Sequence, residues 1–168
     1  MTAEPVVFAP AEINLTLHVT GQRSDGYHLL DSLVVFADVG DQLRLQQGPQ
    51  MQINLSGPFA KGVPTDARNL VWQAAEAAGW CGAIHLDKQL PHGAGIGGGS
   101  SDAAAVLRAL AAQGYETPKG LALSLGADVP ICGPAKAARM RGIGEEIAPV
   151  ELPKLQALLV NPGVHVPT

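Results

Sequence analysis

The order of hydrophobic and polar positions predicts strands in the first third of the chain. Residues Ile13 to Thr20 alternate apolar and polar side chains, which is typical of a half-buried strand. A glycine-bracketed turn over residues 21–26 follows, and the long apolar run from Leu29 to Val39 predicts a second strand. Two shorter alternating segments flank a turn at Gly48-Pro49, namely Asp41 to Gln46 and Met51 to Leu55. We therefore expect a β-meander here.

The pattern then changes to helical periods interspersed with short strands. Helices are predicted over Ala67 to Ala78, capped by Thr65 or Asp66, and over Ser101 to Gln113 and Pro118 to Leu125. Four further strands are predicted, at Ala83 to Leu90, Lys136 to Met140, Glu146 to Val150 and Ala157 to Asn161. A run of strands followed by mixed elements favours an α+β fold over a regular βαβ array.

Composition narrows the class of protein. The 168 residues carry a net charge of −4, with 46% hydrophobic and 15% charged residues, which fits a globular domain and not a basic nucleic-acid binder. No stretch approaches the roughly 18 apolar residues of a membrane span, and the N-terminus lacks the features of a signal peptide. Cys81 and Cys132 are predicted to be buried, reduced thiols. We therefore expect a cytoplasmic protein with neither nucleic-acid nor membrane partners.

The strongest chemical signal is a glycine-rich segment that opens onto a predicted helix. It holds five glycines in the seven positions before two serines. Glycine lets backbone N–H groups converge on an anion, because no Cβ blocks the approach and φ can be positive. The N-terminus of the following helix favours negative charge as well. The candidate phosphate-binding residues are Pro91, His92, Gly93, Ala94, Gly95, Ile96, Gly97, Gly98, Gly99, Ser100 and Ser101.

Two common phosphate loops fit this segment poorly. Residues 93–98 match G-x-G-x-x-G, but a dinucleotide fold needs a second strand that ends in an acidic residue about 20 positions on. That region is Tyr115 to Pro118, which follows a predicted helix. A Walker A loop needs Lys and then Ser or Thr after its glycines, and no lysine follows Gly99.

Asp128 is the candidate for acid–base chemistry. Because a proline disfavours helical backbone in the residue before it, Pro130 predicts an extended Val129 and a non-helical segment around Asp128. A carboxylate held there could accept a proton from a hydroxyl that attacks phosphorus. The residues alone favour the simpler alternative, an aspartate that caps a turn.

The glycine segment, together with Leu90-Pro91, resembles the phosphate loop of the GHMP kinases, a family that includes galactokinase, homoserine kinase and mevalonate kinase. Three further segments narrow the resemblance to members that act on a cytidine diphosphate-linked methylerythritol, namely Ala9 to Leu15, Asp25 to His28 and Leu125 to Pro130. Two more segments, Arg141 to Glu145 and Asn161 to Thr168, also resemble these members. The similarity is colinear over essentially the whole chain.

This resemblance implies a fold and a reaction. The fold would be the GHMP kinase N-terminal domain, similar to domain 2 of ribosomal protein S5, with a sheet and helices in two layers. The cofactors would be ATP and Mg²⁺, the metal arriving with ATP because the histidines show no metal-ligand spacing. The reaction would be phosphorylation of the 2-hydroxyl of the small-molecule substrate, a step in isoprenoid synthesis.

The resemblance also assigns roles to single residues. The family's catalytic base falls on Asp128, which overturns its interpretation as a turn cap. Asn69 matches a segment near the adenine, and Lys88 is assigned to the nucleotide phosphates, with a solvated strand lysine as the alternative. Substrate-binding roles fall on Asn14, Tyr27, His28 and Thr168, where the Tyr27 ring would stack on cytosine.

One position departs from the family pattern. Glu12 stands where the family has a lysine that partners the catalytic aspartate. A glutamate there reverses a charge beside the transferring phosphoryl group, so we expect a rate loss on the order of 10² or more. A catalytically impaired nucleotide-binding protein and another GHMP small-molecule kinase are therefore the alternatives, and the oligomeric state stays open.

The end of the sequence also bears on its organisation. An apolar segment predicted as a strand is followed closely by the chain terminus, with no closing helix. We expect a fragment in which residues 1–150 form an ATP-binding domain and residues 151–168 begin a C-terminal domain that is otherwise absent.

Overall fold

The computed structural model describes residues 4–161. Within them, six strands and four helices follow one another along the chain. The elements are β1 (Val7–Gln22), β2 (His28–Gln47), β3 (Gln52–Ser56), α1 (Leu70–Ala77), β4 (Gly82–Asp87), α2 (Gly98–Ala112), α3 (Leu121–Leu125), α4 (Val129–Cys132), β5 (Ala138–Gly142) and β6 (Glu146–Pro149). None of these helices combines the length and the apolar composition that a membrane crossing requires.

The sheet is built around the long strand β2. β1 runs antiparallel to β2 along nearly all of its length. On its other edge, β2 pairs with β4 through residues 42–47 and with β5 through residues 30–34, both antiparallel. β3 joins β4 in parallel, and β6 joins β5 antiparallel. The resulting order is β3-β4-β2-β5-β6, with β1 beside β2.

The predicted β-meander is wrong for β3. This strand pairs with β4, which lies between β2 and β3. Parallel neighbours need a crossover connection, and α1 supplies it. Periodicity in a sequence shows which face of a strand is apolar but not which strand lies beside it, so the sequence could not reveal this insertion.

The two strands predicted on either side of Gly40 form one strand, β2. A Cβ at Gly40 would collide with the carbonyl oxygen of Ala9, so the absence of a side chain lets β1 approach closely here. β1 shifts its register at the same level, between Pro10 and Glu12. Such bulges re-aim side chains, and Glu12 is the first paired residue beyond this one.

The helices and the sheet form two layers around one core. α1 packs on α2, and α2 packs on β1 and β2. The alanines at residues 103–105 of α2 are fully buried, which allows a close approach of the helix to the sheet. The largest buried apolar side chains include Val34, Leu43, Ile84, Leu86, Val106, Leu110 and Met140. The predicted α+β class and the two-layer arrangement are confirmed.

Several boundaries differ from the predicted ones. α1 begins at Leu70 and is capped by Asn69, whose Oδ1 accepts a hydrogen bond from the N–H of Val71 at 3.1 Å. Asp66 instead accepts a hydrogen bond from the N–H of Arg68 at 3.0 Å and forms a local turn before the helix. β4 ends at Asp87, three residues earlier than predicted, whereas α2 begins at Gly98, three residues earlier than predicted. Both cysteines are free thiols, and Cys132 is buried as predicted whereas Cys81 is only partly buried.

The segment from Ile13 to Thr20 is not half-buried. Its apolar residues Leu15, Leu17 and Val19 are 42–63% exposed. The alternation of apolar and polar residues correctly predicted a strand. Burial also requires a second layer over the apolar side chains, and within residues 4–161 the helices cover the opposite face of the sheet.

The strand predicted at Ala157 to Asn161 is also absent. These residues are irregular, because they lie over the open face of the sheet and not at an edge where a ladder could form. Leu155 and Leu159 line a groove of about 830 Å³ together with Ile13 and Val35.

Candidate nucleotide-binding and catalytic site

The glycine loop links β4 to α2. Gly93, Gly95 and Gly97 have φ values of +71°, +69° and +63°, in the left-handed region that glycine adopts most readily. A Cβ at Gly93 or Gly95 would meet no heavy atom within 4 Å. The glycines are therefore required by the backbone conformation, and the loop faces open space.

The N-terminus of α2 is available to an anion. Its N-cap residue is Gly97, which has no side chain to accept hydrogen bonds from the first turn. The N–H of Ser101 donates to the Gly97 carbonyl at 2.8 Å, so the helical ladder begins there and the amides of residues 98–100 precede it. Ser100 is half-buried, but Ser101 is fully buried and its hydroxyl lies inside the protein. The assignment of the Ser101 side chain to phosphate is therefore wrong.

Lys88 supports the loop from beneath. Its Nζ donates hydrogen bonds to Asp41 Oδ2 and, at 2.7 Å, to Asp102 Oδ2. Asp41 Oδ1 accepts the N–H groups of Gln89 and Leu90 at 2.6 and 2.8 Å. This buried triad thus connects the entry of the loop to the first turns of α2. Lys88 is only 4% exposed, so it is neither a solvated lysine nor open to nucleotide phosphates, and that assignment is corrected.

The charges of this triad depend on one another. Burial alone would lower the pKa of Lys88, but attraction to Asp102 and Asp41 outweighs burial and raises it. Burial raises the pKa of the Asp102 carboxyl, and the neighbouring Asp41 adds to the effect. Asp102 Oδ1 has no hydrogen-bond partner among the described residues. The Lys88 ammonium therefore lies between two buried carboxyls, and burial raises the pKa of Asp102 despite the attraction of the ammonium.

Glu12 lies directly against the glycine loop. Its N–H donates to the carbonyl oxygen of Ile96 at 3.0 Å, and its side chain is buried, with 2% of the residue exposed. A Cβ at Gly97 would come within 2.6 Å of Glu12 Oε2. Cys132 Sγ donates to the same oxygen at 3.5 Å. Glu12 thus lies against the glycine loop, and its position beside the transferring phosphoryl group stays a prediction.

The pKa values of the Glu12 and Asp128 carboxyls are both raised. Burial, followed by the negative charge of Asp128, raises the pKa of Glu12 to about 7, against the opposing hydrogen bond from Cys132. Burial also raises the pKa of Asp128. Two carboxyl groups that resist ionisation thus lie beside a loop suited to phosphate.

Asp128 precedes the short helix α4. It occupies the N-cap position with φ −89° and ψ −12°, yet its side chain makes no capping hydrogen bond. Val129 is the first residue of the helix and not extended as predicted, because Pro130 falls in the first turn, where its missing N–H is tolerated. The segment around Asp128 is therefore more helical than expected, and its carboxylate is not used as a cap.

Two residues that shape the site were not found from the sequence. Arg108, on α2, donates from Nη1 to the carbonyl oxygens of Cys132 at 2.6 Å and Gly133 at 3.1 Å. Gly144 lies in the β5–β6 hairpin, where a Cβ would be 2.5 Å from the carbonyl oxygen of Ala127. The sequence offered one signal for each residue. Arg108 is an arginine within an alanine-rich helix, and Gly144 lies in the segment Arg141 to Glu145 that resembles the family.

The substrate-binding candidates lie at separate places along β1 and the β1–β2 hairpin. Asn14 follows Glu12 on the same face of β1, and its Oδ1 accepts a hydrogen bond from Ser32 Oγ at 2.5 Å. Tyr27 and His28 lie at the exposed end of the β1–β2 hairpin, where the N–H of Tyr27 donates to Asp25 Oδ1 at 3.3 Å. Thr168 lies outside the described residues.

Asn69 has a structural task at the start of α1. Besides capping the helix, it donates from Nδ2 to the Pro64 carbonyl at 2.7 Å. Both ends of its amide are therefore engaged with backbone. The neighbouring Leu70 side chain would contact a Cβ at Gly99 at 3.8 Å, so this segment borders the loop.

The loop and helix fit the phosphates of ATP. The open space at Gly93 and Gly95 and the uncapped N-terminus of α2 provide N–H donors with room for an anion. Among residues 4–161, no group of three or more His, Cys, Asp or Glu side chains is arranged to hold a metal ion. Besides Asp41 and Asp102 of the buried triad, the carboxyls of Glu12 and Asp128 lie near the loop.

Comparison with known proteins identifies the domain. Residues 69–133 match the family described as the GHMP kinases N terminal domain, and these residues include the loop, α2 and Asp128. The chain thus carries a GHMP kinase N-terminal domain, and the resemblance inferred from the motifs is confirmed. It is 62% identical over 164 residues to 4-diphosphocytidyl-2-C-methyl-D-erythritol kinase of Dinoroseobacter shibae, covering 96% of this chain and 57% of that protein. The corresponding kinase of Jannaschia is 55% identical, at 96% and 59% coverage.

Solved structures agree with this placement. A crystal structure of 4-(cytidine 5'-diphospho)-2C-methyl-D-erythritol kinase is similar with a TM-score of 0.68 at 40% identity, covering 89% of this chain and 56% of that chain. Homoserine kinase from Cytophaga hutchinsonii has a TM-score of 0.54 at 22% identity, covering 91% of this chain and 53% of that one, and shows the shared fold. The chain spans 57–59% of the length of these two curated relatives.

Proposed function

We propose that this chain is the nucleotide-binding part of a kinase that phosphorylates the 2-hydroxyl of 4-diphosphocytidyl-2-C-methyl-D-erythritol. The observation that carries the proposal is the open glycine loop at the N-terminus of α2, with Glu12 against Gly97 and Asp128 close enough to shift the pKa of Glu12. The names of the relatives with 55–62% identity supply the substrate. Residues 1–150 would form the ATP-binding domain and residues 151–168 the start of a second one.

The residues divide the chemistry between them. ATP, bound with Mg²⁺, supplies the phosphoryl group. The N–H groups of the glycine loop and of the first turn of α2 would hold its phosphate oxygens, which positions the phosphorus and stabilises negative charge. Asp128 would accept the proton of the attacking hydroxyl. Because burial raises its pKa, the Asp128 carboxylate is a stronger base than an exposed aspartate.

The substrate's other end would be held by the residues of the β1–β2 hairpin. Tyr27 is exposed and can offer its ring to cytosine, and His28 can hydrogen bond to the edge of the base. Asn14 lies nearer the phosphate end, on the same face of β1 as Glu12. Thr168 is kept as a substrate-binding proposal from the resemblance, and a cytoplasmic location stays a prediction from the sequence.

A second candidate function is nucleotide binding with impaired transfer, and Glu12 is the observation that favours it. An ionised Glu12 would bring a negative charge to within contact of the loop that holds phosphates. The two candidates differ in turnover and share ATP binding.

Phosphoryl transfer followed by ³¹P NMR distinguishes them. The chain is expressed alone and with its downstream coding sequence, and each of the two proteins is incubated with Mg²⁺-ATP and the diphosphocytidyl substrate. We expect slow transfer that falls on the order of 10² or more in Asp128→Asn, the usual contribution of a general base. Asp38→Asn is the matched control, because Asp38 lies on β2 in the groove of the open face, on the side of the sheet away from the helices.

The outcomes separate clearly. If calorimetry shows ATP binding but neither the chain nor its longer version transfers a phosphoryl group, the chain is a nucleotide-binding protein with impaired transfer. Transfer that is undiminished in Asp128→Asn would remove Asp128 from the mechanism, and the absence of ATP binding would contradict both functions.

A further inference from the structure

Arg108 makes three hydrogen bonds to backbone carbonyls from two separate elements. Nη1 donates to Cys132 at 2.6 Å and Gly133 at 3.1 Å, at the C-terminal end of α4. Nη2 donates to Phe8 at 2.7 Å, near the beginning of β1. The guanidinium, half-buried on α2, therefore joins α4 to β1 without contacting the loop.

The two joined elements carry the two carboxyls of the site. Asp128 lies at the other end of the four-residue helix α4, and Glu12 follows Phe8 by four positions on β1. The sulfur of Cys132 forms a second link between the same elements, through Glu12 Oε2 at 3.5 Å. The distance between Asp128 and the loop thus depends on how firmly α4 is held against β1.

A helix as short as α4 has little stability of its own. Nucleation of a helix is costly and one turn supplies few hydrogen bonds, so tertiary contacts must fix its position. Its last carbonyls have no partners within the helix, and a guanidinium at that end satisfies them and complements the helix dipole. The planar, rigid fork of arginine reaches several carbonyls at once, which a lysine ammonium cannot do with the same geometry.

We infer that Arg108 is a positioning residue for phosphoryl transfer, which holds α4 against β1 so that Asp128 faces the glycine loop. The inference rests on the proposed function. Arg108 touches neither nucleotide-binding backbone nor the carboxyls themselves, so it acts through α4. A misplacement of about 1 Å in a catalytic group is enough to cost on the order of 10² in rate.

Three variants test this role in the transfer assay: Arg108→Leu, Arg108→Lys and Arg139→Leu. Arg139 is the matched control, because its guanidinium is exposed on β5 and pairs with Asp31 at the surface. We expect Arg108→Leu to lower kcat about 10- to 100-fold while KM for ATP stays within about twofold. Arg108→Lys should recover part of kcat, and Arg139→Leu should match the parent chain.

A second measurement does not depend on activity. In a Cys81→Ser background, Cys132 is the remaining thiol, and it is the fully buried last residue of α4. Its reaction with a thiol reagent should be about tenfold faster in Arg108→Leu than in the parent or in Arg139→Leu, because release of α4 exposes the sulfur.

The outcomes are distinguishable from failure of the proposed function. Transfer by the parent with an unchanged kcat in Arg108→Leu overturns the inference, as does a parallel loss of kcat and ATP binding, which would indicate general unfolding. A parent that transfers no phosphoryl group counts against the proposed function, and the thiol rates then decide whether Arg108 holds α4. Equal thiol rates in all variants overturn the inference.

Discussion

The N–H of Glu12 donates a hydrogen bond of 3.0 Å to the carbonyl oxygen of Ile96, within the glycine loop. This bond attaches β1 to the loop beside Gly97, whose Cβ position lies 2.6 Å from Glu12 Oε2. This backbone hydrogen bond holds position 12 against the glycine loop. Under the proposed function, we expect the charge of this side chain to affect phosphoryl transfer.

Replacement of Glu12 by lysine should accelerate phosphoryl transfer. In Glu12→Lys, an ammonium replaces a carboxyl beside Asp128, which would lower the pKa of Asp128 and stabilise developing negative charge. We expect a rate increase on the order of 10², measured as kcat at saturating ATP. Glu12→Gln, which removes the charge without adding one, should give an intermediate rate. If the parent and Glu12→Lys bound ATP equally and transferred at equal rates, the charge at this position would not matter.

The stability of the fold should depend on pH through Glu12. Burial and Asp128 raise its pKa from 4.5 to about 7, so the folded chain binds a proton more tightly than the unfolded chain. Stability is consequently lost as pH rises from about 4.5 to 7, by on the order of 3 kcal/mol. Urea unfolding at pH 5 and pH 8 should show that Glu12→Gln stabilises the chain at pH 8 and much less at pH 5.

Asp102 contributes a pH dependence of the same sign, because its pKa is also raised by burial. The parent chain and Glu12→Gln both retain Asp102, so its contribution cancels in the difference between their free energies of unfolding. A stability difference that does not change between pH 5 and pH 8 would contradict the placement of Glu12 in a buried, anionic environment.

Removal of the Lys88 ammonium should destabilise the chain strongly. Lys88→Met leaves Asp41 and Asp102 buried without their cation, and breaking a buried ion pair in this way costs about 3–5 kcal/mol. Guanidinium unfolding measures the loss. Lys61→Met, at an exposed lysine outside the regular elements, should stay within about 0.5 kcal/mol of the parent. If the two variants were equally stable, the buried triad would not exist as described.

The sequence predicted the parts of the site that follow one another along the chain. The glycine loop and the following helix form one continuous segment, and their residue types reveal their chemistry directly. The resemblance then supplied the role of Asp128, which local pattern alone assigned to a turn. Position 12 was recognised because a single charge departed from the family pattern.

Contacts between distant segments could not be predicted in the same way. The resemblance assigns Lys88 to the nucleotide phosphates from the residues around it in sequence, but Asp41 and Asp102 hold its ammonium in the core. Arg108 was missed because its three acceptors are backbone carbonyls, which leave no trace in a sequence. The neighbour of β3 was mispredicted for a related reason, since strand periodicity does not specify pairing.

Calorimetric titration of ATP tests the proposal that the glycine loop holds the phosphates of ATP. Gly95→Ala places a Cβ in the open space of the loop at φ +69°, and Gly79→Ala places one in open space at φ +72° after α1, away from the site. Both substitutions carry similar backbone strain. We expect the parent chain and Gly79→Ala to bind ATP with affinities within about twofold of each other, and Gly95→Ala to bind at least about tenfold more weakly. Equal affinities for the two variants, or no binding by the parent, would contradict the proposal.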